Sequence, residues 1–248
     1  MKELGITEPE EIDLEAISYH CGASVRYRRL DGCAARIIGG GEKAIISVDR
    51  RSTLGRQRFS IGHELGHWVR DRGKATRLCQ KTDLNAPWDR SDPESLANAY
   101  AADLLMPYFM FKPMVEGREV TLDTVREFRG KYQTSLTATA IRLVQFGSYP
   151  SLVVCHDMHG RRWYTPSRHV PNHLKPKLEL SHETAAFEVL YGGAATSRPV
   201  LTKTSEWIGC RNAYRYSVHE QSVRIADDTV LSLLWWKDKA QFAELAGY

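Results

Sequence analysis

The sequence has few cysteines: Cys21, Cys33, Cys79, Cys155 and Cys210, an odd number with no Cys-x-x-Cys pair. This excludes a disulfide framework and a cysteine-rich zinc ribbon, so free thiols are expected. Long apolar runs are also missing. The most apolar stretch, Leu96 to Phe111, is broken by Asn98, Asp103 and Pro107, and it falls short of the roughly 18 apolar residues a membrane span needs. Charge of one sign is barely in excess, with 34 Lys+Arg against 30 Asp+Glu. The basic clusters, around Arg26 to Arg29, at Arg50-Arg51 and at Arg161-Arg162, are short and dispersed, and read as solvated faces. Charge alone therefore disfavours direct DNA binding. Repeats and low-complexity tracts are absent, and the opening MKELGITEPEEID has no apolar h-region. A cytoplasmic protein without membrane contact is expected.

What is present is the composition of a chain with a core, 42% hydrophobic and 26% charged over 248 residues, enough for one large or two modest domains. Residues 8–21 read as an amphipathic helix, with Gly22 placed where a left-handed cap needs glycine. Strands are expected at Val25 to Leu30, Ala34 to Ile38 and Lys43 to Val48, and a helix at Arg56 to Arg70. Asp71 to Ser91 is polar and reads as a loop. Ser91 or Asp92 can cap the next helix, which Pro107 stops. Two short helices follow between Leu122 and Val144. Beyond Pro150 the pattern turns to strands, at Leu152 to His156, Arg162 to Thr165, Tyr214 to Ile225 and Val230 to Lys237, with one helix at Ser181 to Leu190.

The informative segment is RQRFSIGHELGHW, residues 56–68. On a helix, positions four apart lie one above the other, so His63 and His67 can meet a single ion. That is half of a tetrahedral zinc site. Glu64 sits about 100° round the helix, within reach of a water beside the ion, and is the expected general base. Zinc held for catalysis takes three protein ligands and keeps one position open. The third must come from another element: Glu94, 27 residues beyond His67, fits, with Asp92 and Asp103 as rivals. Tyr100 and Tyr132 are candidates for stabilising an oxyanion. Other histidines are poorer ligands. Pro171 blocks the helix that would align His169 with His173, His182-Glu183 lacks a second histidine, and His156 and His159 flank a turn. Cys79 reads as a free thiol rather than a cap on the metal.

RQRFSIGHELGHWV and ESLANAYAADLLMP resemble, in order and spacing, the two signature motifs of the ImmA/IrrE family of metallopeptidases. The resemblance implies an α+β chain in three parts. These are a zincin-like, gluzincin-type peptidase domain over residues 1–116, a helical helix-turn-helix-like segment over 117–149, and a GAF-like α+β domain over 150–248. It implies His63, His67 and Glu94 as metal ligands, Glu64 as base, and Zn2+ as the ion, with Mn2+ as the other candidate. It further implies an endopeptidase whose substrate is an XRE-type helix-turn-helix repressor, cut to release a stress or mobile-element programme. The competing reading is a non-proteolytic regulator that binds a repressor or DNA, with ligand sensing by the C-terminal domain. Of the residues able to read bases, Ser135 to Phe146 offers only Arg142 and Gln145, so packing is the better reading of those helices.

Overall fold

The computed structural model describes residues 2–70, 76–80 and 92–247, the strand at 76–80 by its backbone alone. Contacts divide the chain into two compact units, Met1–Phe111 with Phe128–Ser135, and Lys112–Glu127 with Leu136–Tyr248.

In the first unit, Asp13 opens helix α1 (Leu14–His20) by accepting from the amides of Glu15 and Ala16. The helix is shorter than the sequence suggests, since Pro9–Glu11 forms a separate 3-10 turn. Gly22 has φ +81°, and a Cβ there would lie 2.5 Å from the Glu42 carbonyl oxygen, so glycine is required on both counts. Strands β1 (Ala23–Arg28), β2 (Cys33–Gly40) and β3 (Lys43–Asp49) follow, then the long helix α2 (Leu54–Arg70) and strand β4 (Thr76–Gln80). The sheet order is β1-β3-β2-β4. β1 runs parallel to β3, pairing Val25 with Ile46, while β2 pairs Ile37 with Ile46 in the antiparallel sense. Val25, Ile37 and Ile46 are buried on one face, where α2 lies. On α2, Trp68 is fully buried and its indole donates to the Cys21 carbonyl at 2.8 Å. Gly39 makes room for that ring, since a Cβ there would come within 2.5 Å of it.

β4 corrects the reading of residues 71–91 as a loop. It has little pattern of its own and takes its register from β2, whose Ile37 pairs with Arg77. Ser91 and Pro87 lie outside the described residues. Helix α3 (Pro93–Leu105) is capped by Asp92, which accepts from the amides of Glu94 and Ser95, with Pro93 in the first turn. Pro107 does end α3, but a further helix that the sequence does not announce, α4 (Tyr108–Val115), begins at once. Its start is held by the Pro107 carbonyl, which accepts from Met110 and Phe111.

Helices α5 (Leu122–Tyr132) and α6 (Leu136–Phe146) come next. The unit limits do not coincide with the boundaries expected at 116 and 149. The start of α5 is tied to the second unit by the Leu122 amide, which donates to Gln221 at 2.8 Å. Its end belongs to the first, where Tyr132 and Phe128 pack on Phe111 at 5.3 and 5.6 Å between ring centroids. On α6, Arg142 is buried against Phe146.

The second unit also holds β5 (Ser151–Asp157), β6 (Gly160–Pro166), α7 (Ala185–Tyr191), β7 (Val200–Lys203), α8 (Thr204–Trp207), β8 (Ser217–Ala226), β9 (Thr229–Trp235) and α9 (Lys239–Ala246). The strands form one antiparallel sheet, β6-β5-β9-β8-β7. Alternate residues Leu152, Val154, Val218, Val230 and Leu234 join Val189, Trp207 and Phe242 in its core. Glu220 is fully buried within it, accepting from the Ala186 amide at 2.8 Å and the Trp207 indole at 2.9 Å, which ties α7 and α8 to β8. Burial pushes its carboxyl pKa up. The whole is a mixed α+β chain, in line with the sequence. Among the described residues no helix is long and apolar enough to cross a membrane.

Candidate metal centre

Two helices build the site. On α2, His63 and His67 are both fully buried, their rings edge to face with centroids 4.7 Å apart and their Nε2 atoms separated by 3.1 Å. From the first turn of α3, Glu94 places Oε2 at 3.1 Å from His63 Nε2 and 3.3 Å from His67 Nε2. Among the described residues these are the one group of three histidine, cysteine or acidic side chains whose ligand atoms converge, all within 4.8 Å of one another. A tetrahedral ion with ligand bonds of about 2.0–2.1 Å holds its ligand atoms about 3.3 Å apart, so the donor set fits a zinc ion in spacing and in chemistry.

Close helix packing makes this convergence possible. A Cβ on Gly62 would lie 3.1 Å from Ala101 Cα, and one on Gly66 3.1 Å from Tyr100 Cβ. The glycine preceding each histidine thus lets α3 approach until a glutamate side chain can span the gap. At the end of α2, the Arg70 guanidinium donates to the Pro93 carbonyl at the start of α3, at 3.1 Å.

Burial is the first cause of a lowered pKa at His63, and the charge of His67 acts in the same direction, against Glu94 and Asn98, which raise it. The shift favours the neutral ring, the form in which histidine binds a metal. Asn98 Oδ1 lies 2.9 Å from His63 Nδ1. In the sequence Asn98 stands out only as an interruption of an apolar run. The signal that could have found it is its spacing, since it follows Glu94 by four positions and so shares its face of α3.

Glu64 follows His63 on α2 and is fully buried. The rivals for third ligand are placed elsewhere. Asp92 is engaged in capping α3, and Asp103 is exposed on that helix. Tyr132 is a core residue packed on Phe111, with burial pushing its hydroxyl pKa up to about 12. Tyr100 is half-buried beside Gly66, its pKa likewise raised by burial. The side chain of Cys79 lies outside the described residues. His169 and His173 lie in turns, and His156 is buried against Trp207.

The chain has the fold of a Mycobacterium tuberculosis transcriptional regulator, at 12% identity and TM-score 0.61, over 94% of this chain and 73% of that one. No curated protein matches it. The IrrE N-terminal-like domain (Peptidase_M78) matches residues 19–144, which take in both site helices and just over half of the sequence. On that match the chain belongs to the IrrE N-terminal-like peptidase family.

Proposed function

We propose that the protein is a zinc-dependent endopeptidase whose ion is held by His63, His67 and Glu94, within a zincin-like first unit. The observation that carries this reading is the convergence of those three side chains beside a buried glutamate. A zinc ion bound there supplies Lewis acidity, which polarises a scissile carbonyl and eases deprotonation of the attacking water. The chain's own residues do the rest. Glu64 accepts the proton of that water and later delivers one to the leaving amine, so a single carboxylate serves as base and then as acid. Burial of the histidines keeps bulk water from competing for their ring nitrogens.

For a substrate we propose an XRE-type helix-turn-helix repressor in the cytoplasm, with cleavage releasing the genes it silences. Membership of the IrrE-like family supports this reading. We assign the second unit a GAF-like sensing role on the strength of its α+β build around an antiparallel sheet. Likeness of fold to a mycobacterial transcriptional regulator favours a second reading, in which the chain regulates by binding a repressor without cutting it. Burial of Arg142 removes one of the two base-reading side chains of α6 and supports binding to protein rather than DNA.

The test is incubation of the zinc-loaded chain with an XRE-type helix-turn-helix repressor. Discrete fragments with the native chain and none with Glu64→Gln support the peptidase. A stable complex without fragments from either supports the binding regulator.

A further inference from the structure

We propose that Asn98 is the positioning residue for His63: its side-chain carbonyl accepts the His63 Nδ1–H and so turns the Nε2 lone pair toward Glu94 and His67. The inference rests on the metal site proposed above and concerns what makes that site ready for its ion.

A neutral imidazole carries one N–H and one lone pair, and the partner of the N–H decides which nitrogen can ligate. His63 Nε2 is the atom 3.1 Å from both Glu94 Oε2 and His67 Nε2, so for its lone pair to meet an ion held among them the proton must sit on Nδ1. Nδ1 faces Asn98 Oδ1 at 2.9 Å, inside the usual range for a hydrogen bond. Both partners are buried, His63 fully and Asn98 to 5% exposure, so water is a poor substitute for either. α3 therefore contributes twice to one face, a ligand at Glu94 and, one turn later, the group that orients the opposing ligand. The close approach of Gly62 to Ala101 holds the backbones near enough for so short a side chain as asparagine to reach.

The amide has a further consequence. A carboxylate in this place would make the imidazole a stronger donor to the metal and dampen its acidity. One carboxylate, that of Glu94, already stands at the site, and a second, that of Glu64, is buried on the residue next to His63. Asparagine fixes the ring without adding a third charge.

The experiment is zinc affinity of the full chain, measured by competition with a chromophoric chelator, for native protein, Asn98→Ala and Asn98→Asp, with thermal melts as the control for folding. Native protein should bind one zinc per chain. Asn98→Ala should bind it about 10–100-fold more weakly, and Asn98→Asp should restore native affinity or exceed it. An alanine variant with native affinity, or an aspartate variant as weak as alanine, overturns the assignment. Native protein that takes up no zinc overturns the metal site itself and this inference with it. Should Asn98→Ala fail to fold, nitrogen-15 spectra of the metal-free native protein decide the matter, with His63 identified by its loss in His63→Gln. The Nδ1–H tautomer is expected, and the Nε2–H tautomer overturns the proposal.

Discussion

Neighbouring acidic residues at the start of α3 have separable jobs. Asp92 accepts from two backbone amides and Glu94 faces the histidines. Asp92→Ala should therefore lower stability by about 1 kcal/mol, the usual cost of losing an N-cap, with zinc stoichiometry unchanged in the folded protein, as melts and metal analysis would show. Glu94→Ala should do the reverse, losing the ion with little change in the melting of the metal-free chain. Full zinc content in Glu94→Ala would mean that another carboxylate completes the site. Gly39 gives a third residue-scale prediction. The space a Cβ would need there is filled by the Trp68 ring, so Gly39→Ala should destabilise by about 1–3 kcal/mol, the range for overpacking a filled core, measured by denaturant unfolding.

At the scale of elements, α2 and α3 act as a pair, and the distance between them is a property of Gly62, Gly66, Ala97 and Ala101. Gly62→Val should force the helices apart at Ala101 and weaken zinc binding while circular dichroism keeps its helical signal, because no ligand is touched. Native affinity in that variant would show that the packing does not set the site. This pair is largely readable in the sequence. His63 and His67 at helical spacing, Asp92-Pro93 as a helix start and Pro107 as its end are local signals that act through the backbone of their own segment. β4 and the sharing of α5 between units are not readable, for the same physical reason in each case. Their placement rests on distant partners: β2 for β4, and Gln221 and Phe111 for the two ends of α5. Choice of Glu94 over Asp92 and Asp103 is likewise left open by spacing, and is decided by the rotation of α3, which points Asp103 to solvent.

For the whole molecule, pH dependence follows from what is buried. Burial depresses the His156 pKa to about 4 from its ordinary value near 6.5, so between those values the unfolded chain binds more protons than the folded one. Stability from keeping this ring neutral is fully present above about pH 6.5 and declines as pH falls toward 4. Glu220, raised by burial, acts in the opposite sense, costing stability as pH rises above the ordinary carboxylate range. Comparing native protein with His156→Gln by urea unfolding at pH 7 and pH 4.5 isolates the histidine. The stability lost on acidification should be smaller in the variant, and an equal loss would contradict the assignment. The proposed function rests on a different feature, an ion held between α2 and α3 by His63, His67 and Glu94. Anomalous diffraction at the zinc edge, from crystals grown with one equivalent of zinc, tests this directly. One strong peak is expected among His63 Nε2, His67 Nε2 and the Glu94 carboxylate, and a map with no peak there, or with its zinc elsewhere, would contradict the metal centre.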